Sequence, residues 1–288
     1  MSKADRNALI NIILAILVGF GIAIAGSQGG VVVSGIPLFA FVVGLAFLIQ
    51  WLAFIPAYLL NTEKFFDLTG SITYISVIII AVFLGPIVDG RSILLMMLVV
   101  IWASRLGCFL FHRIRNVGKD VRFDELKPSF IRFLSAWTLQ GLWVSITLSA
   151  ALAAITTTAR KELGIFALGG FLMWIIGFAI EVTADVQKSR FRADPQNDGK
   201  FIRTGLWARS RHPNYFGEIV LWIGVAIIAL PVLRSWQWFT LISPIFVTLL
   251  LTHISGIPIL ERRADEKWGE QDDYKIYKER TPILLLWP

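Results

Sequence analysis

Apolar residues in this chain are gathered into blocks of 16 to 26, a grouping that leaves few folds open to it. A helix needs about 20 such residues to cross about 30 Å of hydrocarbon. Eight segments meet that requirement: residues 8–25, 35–60, 71–86, 92–112, 133–155, 163–184, 214–233 and 236–258. The expected fold is therefore all-α: a polytopic integral membrane helical bundle of seven or eight transmembrane helices, with cytoplasmic loops and a carboxy-terminal cytoplasmic tail. The first segment lacks a small-residue cleavage signature, so it reads as a retained helix and not a signal peptide. Cys108 is the single cysteine and falls inside an apolar segment. It can build neither a disulfide framework nor a cysteine metal site, and a packing role is expected. No metal site is expected elsewhere.

The formal charge of +7 becomes informative once it is sorted by loop. With the amino terminus inside and eight spans, 22 of the 27 basic residues fall on the cytoplasmic side. Only Arg91, Arg160, Lys161 and Arg234 fall outside, and Arg105 lies within a span. The positive-inside rule supports this orientation, which puts both termini in the cytoplasm. Much of the basic excess is accounted for by topology and contact with anionic membrane lipids. Nucleic acid is excluded as a partner, because no soluble domain is long enough to present a basic face. No obligate protein partner is evident.

The first 110 residues are nearly uncharged, whereas segments 113–132, 188–213 and 261–288 hold most of the polar chemistry. In "FAIEVTADVQKSRFRADPQNDGKF", residues 178–201, nothing breaks the helical pattern before Pro195. The sixth helix should therefore run past the lipid boundary. On it Glu181, Asp185, Lys188 or Ser189, and Arg192 recur every three or four residues and share a face. Ordinary juxtamembrane salt bridges would explain such a face. The depth of Glu181 and Asp185 argues for a site, since a carboxylate at the apolar end of a span is costly.

In "RTGLWARSRHPNYFGEIVLW", residues 203–222, Pro213 suits the first position of a helix that carries Asn214 and, one turn later, Glu218. The free N–H groups of that helix end would lie beside Arg203, Arg209, Arg211 and His212, an arrangement suited to phosphate. A patch that only anchors to lipid has no need of Asn214 and Glu218 behind its arginines. His212 by itself could be a helix cap, and His112 and His253 read as boundary or packing residues. In residues 252–288, "SGIP" interrupts the last span, and Glu261, Arg262 and Arg263 follow at the water boundary. Tyr274, Tyr277, Arg280 and Thr281 could lie across the base and ribose of a cofactor. An interfacial helix with snorkelling aromatics would look the same. No glycine-rich dinucleotide fingerprint and no Walker motif occurs, so any nucleotide must be held by a membrane-embedded site of another kind.

The stretches "DVQKSRFR", "GKFIRTGLWARSRHPNYFGEIVLWIG" and "LERRADEKWGEQDDYKIYKERTP" resemble the carboxy-terminal region of the steroid 5α-reductase superfamily, and most closely its bacterial DUF1295 branch. "VIWASRLGCFLFHRIRNVGKDVRFDELK" and "WTLQGLWV" are similar to the same branch, so the resemblance covers residues 65–288. The RHPNYxGE core is shared with sterol C14-reductases and with isoprenylcysteine and phospholipid methyltransferases. The resemblance implies NADPH-dependent reduction of a carbon–carbon double bond conjugated to a carbonyl, on an apolar small-molecule or lipid substrate. It implies an inner membrane of a bacterium, with the cofactor site cytoplasmic. It also implies residues 1–60 as preceding membrane helices and 61–288 as the reductase-like domain, with the cofactor region at 178–288. Carried over by motif, Asp185, Arg192, Lys200, Asn214 and Glu218 fall where these reductases hold the cofactor. Asn214 and Glu218 suit the nicotinamide carboxamide. Glu181, Lys188, Arg203, Arg209, Arg211, His212, Glu261, Arg262, Tyr274, Tyr277 and Arg280 complete the expected cofactor set.

The glutamate and tyrosine with which the steroid enzymes bind the substrate carbonyl have no clear match here, and the counterpart of that tyrosine is Trp102. Local chemistry offers Asp67 and Tyr74 at the start of the third span, and Asp67 is also a reasonable partner for Arg105. The expected catalytic set is thus Asp67, Tyr74 and Glu218. Hydride would pass to the β-carbon of the enone while an acid polarises the carbonyl oxygen. The alternative is a membrane methyltransferase using S-adenosylmethionine, of the isoprenylcysteine or phospholipid type. The "DVQKSRFR" helix favours the reductase.

Overall fold

A computed structural model describes residues 1–85, 87–117 and 120–286. Its elements are α1 (Lys3–Ser27), a hairpin of β1 (Val32–Val33) and β2 (Ile36–Pro37), α2 (Leu38–Leu59), α3 (Phe66–Phe83), α4 (Gly90–Val117), α5 (Phe130–Thr156), α6 (Ile165–Ala193), α7 (Pro213–Ala229), α8 (Ile242–Leu249), α9 (Ile257–Trp268) and α10 (Asp272–Arg280). Eight helical stretches among the described residues are long and apolar enough to cross a membrane. The chain is a polytopic, nearly all-helical integral membrane protein, as its apolar blocks require. Lys119, one of the basic residues of segment 113–132, lies outside the described residues.

Several boundaries shift for local reasons. The first helix starts at Lys3, five residues earlier than its apolar block, because Ser2 and Asp5 form a capping box: Ser2 Oγ accepts from Asp5 N at 3.1 Å and Asp5 accepts from Ser2 N at 3.3 Å. The hairpin between α1 and α2 was hidden in the sequence by its apolar neighbours. Ser34 and Gly35, at φ 50° and 82°, make its two-residue turn. The last span is broken where "SGIP" stands, giving way from α8 through a short π-helical stretch, Leu250–Ile254, to α9.

The chain divides into two compact units, residues 1–167 with 228–243, and residues 168–227 with 244–288. In the first unit α5 is the central helix, and α1, α2, α3 and α4 pack against it. Its second half, residues 144–156, is buried throughout. Small residues there let neighbouring backbones approach, and its hydroxyls need partners that lipid cannot supply. Ser145 Oγ donates to Gly141 O at 2.8 Å, Thr156 Oγ1 to Leu152 O at 2.8 Å, and Ser149 Oγ to Thr240 O at 2.7 Å. At the other end of α5, Phe54, Phe123, Phe133 and Trp137 form an aromatic core. Beside it the loop after α4 is pinned by Glu63, which accepts from Lys127 Nζ at 2.7 Å and Asp120 N at 3.0 Å. Burial alone would raise the Glu63 carboxyl. The hydrogen bonds from Lys127 and Asp120 outweigh it and leave the group below its ordinary range. Cys108 is exposed on α4 and does not pack inside, contrary to expectation.

In the second unit α6 and α7 meet backbone to backbone. A Cβ built on Gly177 would lie 2.5 Å from Gly217 O, one on Gly217 would lie 2.5 Å from Gly177 O, and one on Gly224 would lie 2.5 Å from Gly170 O. Two glycines seven residues apart on each helix thus set an antiparallel contact in which no side chain intervenes. That contact fixes the register of the polar residues beyond it. Glu181 and Asp185 continue the Gly177 face of α6, and Asn214 precedes Gly217 by one turn on α7. Asn214 Nδ2 donates to Asp185 Oδ1 at 3.3 Å.

Candidate functional site

Three segments of the second unit enclose a cavity of about 810 Å³. The first is the end of α6, which runs unbroken to Ala193 as its sequence predicts, two residues short of Pro195. The chain then turns through Pro195–Asn197 and Gly199, whose φ of 73° only glycine adopts without strain, and so brings Lys200 and Phe201 to the cavity. The second is the turn before α7. Trp207 Nε1 donates to Ala184 O at 3.0 Å, which fastens the turn to α6, and Lys188 Nζ lies 4.3 Å over the Trp207 ring. The third is α9 and α10 with the tail after them. Tyr277 OH donates to Trp207 O at 2.7 Å, Arg211 N to Pro282 O at 2.9 Å, and Ser210 Oγ to Leu284 O at 2.9 Å.

Glu261 on α9 ties the second and third segments together. One carboxylate oxygen pairs with the Arg211 guanidinium, and the other lies 2.8 Å from His212 Nε2. The His212 ring is also stacked on Tyr215, with centroids 5.7 Å apart. The side chains of Arg211 and His212 are only 9% and 5% exposed, yet Arg211 Nε and His212 Nδ1 are buried with no hydrogen-bond partner. Both residues line the cavity. Burial pulls His212 below its ordinary pKa, against the raising effect of Glu261, and the positive charges of Lys188 and Arg211 act with burial.

The cavity also has an aromatic lining. Phe201 packs edge-on to Tyr274 at 5.1 Å, with Tyr277 at 5.3 Å and Trp268 at 5.9 Å. Trp268 Nε1 donates to Gly199 O at 2.6 Å, which joins this wall to the turn after α6. Burial and the nearby negative charges of Glu261 and Asp265 push Tyr274 up to about 12, and burial likewise raises Tyr277. Both phenols therefore remain hydrogen-bond donors across the physiological range.

Of the residues expected from the sequence, Lys188, Arg192, Lys200, Arg211, His212, Glu261, Tyr274 and Tyr277 line this cavity together. Glu181 and Asp185 are buried on α6, and Asn214 and Glu218 are half-buried on α7. Arg203, Arg209, Arg262 and Arg280 are exposed and outside the lining, Arg203 pairing with Asp273 at 3.1 Å. Asp67 and Tyr74 belong to α3 of the first unit, where Tyr74 is buried edge-on to Trp102 at 5.2 Å. Sequence reasoning missed Phe201, Trp207, Arg263, Lys267 and Trp268. The only signal available was their place beside the charged residues of the same three segments.

A family model described as "Protein of unknown function (DUF1295)" matches residues 53–281. A mimivirus (Acanthamoeba polyphaga mimivirus) protein named "Probable 7-dehydrocholesterol reductase" is 31% identical over 134 residues, 40% of this chain and 28% of the relative. The mouse (Mus musculus) protein "3-oxo-5-alpha-steroid 4-dehydrogenase 1" is 31% identical over 121 residues, 41% of this chain and 42% of the relative. "Probable O-methyltransferase ustE" of Ustilaginoidea virens is 28% identical over 107 residues, 32% of this chain and 38% of the relative. The chain thus spans between 28% and 42% of the length of these relatives. The chain belongs to the DUF1295 family, and its reductase relatives agree with a place in the steroid 5α-reductase superfamily.

Proposed function

We propose that this protein is a membrane-embedded, NADPH-dependent reductase acting on the carbon–carbon double bond of an apolar enone, a 3-oxo-Δ4-steroid or another lipid. The observation that carries this reading is the pair of buried polar atoms without partners, Arg211 Nε and His212 Nδ1, in the wall of a cavity that Lys188, Arg192 and Lys200 also line. An anionic ligand that brings hydrogen-bonding groups of its own would complete such a wall. A relative named as a probable 7-dehydrocholesterol reductase favours a reductase, and NADPH is the ligand proposed. The residues fit it. Lys188, Arg192, Lys200 and Arg211 offer cations for a pyrophosphate and a 2′-phosphate. The rings of Phe201, Trp268, Tyr274 and Tyr277 offer an apolar face.

When bound, NADPH would supply the hydride. The chain's own residues would bind, orient and exclude water. Asn214 and Glu218 are proposed to meet the carboxamide, which both donates and accepts, and Asp185 to hold Asn214 in place. Tyr74, with Asp67 about two turns earlier on the same helix, is proposed to donate to the substrate carbonyl oxygen. Residues 61–288 would form the reductase-like domain after a pair of membrane helices in 1–60. The excess of basic residues in alternate loops supports cytoplasmic termini and a cytoplasmic cofactor site, and a bacterial inner membrane is proposed from the family resemblance.

The similarity to an O-methyltransferase keeps a second reading, methyl transfer from S-adenosylmethionine. The experiment is a titration of purified protein with NADPH, with NADH and the Arg192→Ala variant beside it. NADPH should bind more tightly than NADH. Arg192→Ala should remove a charge-assisted contact worth about 1.5–3 kcal/mol, roughly a 10- to 100-fold loss of affinity. Unchanged NADPH affinity in that variant would return Arg192 to the role of a lipid anchor.

A further inference from the structure

Glu261 does more than neutralise Arg211. A carboxylate accepts hydrogen bonds and cannot donate them, so the 2.8 Å contact with His212 requires the proton to sit on Nε2. A neutral imidazole protonated at Nε2 has a lone pair at Nδ1, and in His212 that atom is buried without a partner. Arg211 Nε, also buried and without a partner, is necessarily an N–H donor. Two adjacent residues of the cavity lining thus carry one acceptor and one donor that no protein group satisfies. A fully ionised phosphate cannot satisfy both, since its oxyanions are repelled by the Nδ1 lone pair. A hydroxyl next to a phosphate can satisfy both.

We infer that Glu261 is a positioning residue that locks His212 as the Nε2–H tautomer, so that His212 Nδ1 and Arg211 Nε together read one ribosyl phosphate, taking its hydroxyl and its phosphate oxygen respectively. This deepens the dinucleotide reading of the cavity and rests on it. The groups around His212 agree with a neutral ring. Lys188 on α6 and its neighbour Arg211 oppose a second proton, and Glu261 on α9 holds the one already there. Tyr215 on α7 fixes the ring plane by stacking.

The chain has three histidines, so protein labelled with 15N at histidine and reconstituted in lipid gives a readable imidazole spectrum. The peak that vanishes in His212→Asn assigns His212. At pH 8 the wild type should show a protonated Nε2 and a bare Nδ1, and saturating NADPH should shift Nδ1 while leaving Nε2 protonated. Glu261→Gln replaces an obligate acceptor with an amide that can donate, so its His212 should gain the Nδ1–H form and NADPH affinity should fall at least about tenfold. His212→Gln, polar only at the Nε2 position, should lose about tenfold or more of NADPH affinity. A wild-type Nδ1 that carries a proton, or whose resonance is unmoved by bound NADPH, overturns this inference alone. Failure of the wild type to bind NADPH at all overturns it together with the reductase reading.

Discussion

Gly177 of α6 and Gly217 of α7 touch through their backbones, and a Cβ on either would lie 2.5 Å from the carbonyl oxygen of the other. That contact sets the register in which Asn214 Nδ2 meets Asp185 Oδ1 at 3.3 Å. Elsewhere in a helix, Gly→Ala stabilises by about 1 kcal/mol. Here the sign should reverse, with Gly217→Ala costing about 1–3 kcal/mol because backbone cannot move aside. The control is Gly169→Ala on α6, which meets nothing within 4 Å and should be neutral or mildly stabilising. Thermal unfolding midpoints in detergent of both variants check the contrast.

Glu63 anchors the loop after α4 through Lys127 and the Asp120 N–H. Glu63→Gln should cost about 1.5–3 kcal/mol, the range for hydrogen bonds to charged groups. The folded carboxyl lies below its ordinary value of 4.5, so the unfolded chain takes up the proton first as pH falls. Its contribution is therefore complete above about pH 4.5 and drains away below it as the folded group protonates. Wild type and Glu63→Gln, compared from pH 7 to pH 3.5, should converge in unfolding midpoint at the acid end.

His212 titrates in a different window by the same logic. Its folded pKa is depressed below 6.5 by burial, so the unfolded chain binds the proton more readily. Stability linked to His212 is complete above about pH 6.5 and declines as pH drops beneath it. The difference in unfolding midpoint between wild type and His212→Asn should be constant from pH 7 to pH 8 and should shrink from pH 6.5 to pH 5.5. A difference that grows on acidification would mean that His212 is charged in the folded protein.

Tyr74 and Asp67 carry the proposed delivery of a proton to the substrate. Tyr74→Phe deletes only a hydroxyl, so turnover of an enone substrate should fall by about 10²–10⁴-fold with NADPH affinity nearly unchanged. Asp67→Asn should also lower turnover. If Asp67 serves mainly to neutralise Arg105, stability should fall too, and adding Arg105→Met should restore part of it. Wild-type rates in both single variants would remove α3 from the account and turn the search to the face bearing Trp102 and Gln140.

The membrane spans were legible because hydrocarbon thickness sets a length that composition must meet, and the extension of α6 was legible because nothing before Pro195 can stop a helix. Pro213 and the "SGIP" break were legible for the same stereochemical reason. The pairing of Asp185 with Asn214 was not legible, because their register is set by glycines whose role appears only when the two helices are in contact. The Ser34–Gly35 turn was not legible, since its apolar neighbours outweigh a two-residue turn. Phe201 and Trp268 were passed over because aromatic residues near a membrane surface look alike whether they anchor to lipid or wall a cavity. The tail's bonds to Ser210 and Arg211 run through backbone carbonyls, which no side-chain pattern reveals.

The central claim is that the cavity between α6, the turn before α7, and α9 with α10 holds a reduced nicotinamide dinucleotide. Calorimetric titration of the purified, detergent-solubilised protein with NADPH and, separately, with S-adenosylmethionine tests it most directly. The account predicts saturable binding of NADPH, weakened at least about tenfold in Arg211→Ala, and no saturable binding of S-adenosylmethionine. Saturable S-adenosylmethionine binding that Arg211→Ala abolishes, with no NADPH binding, would contradict it and assign the site to methyl transfer.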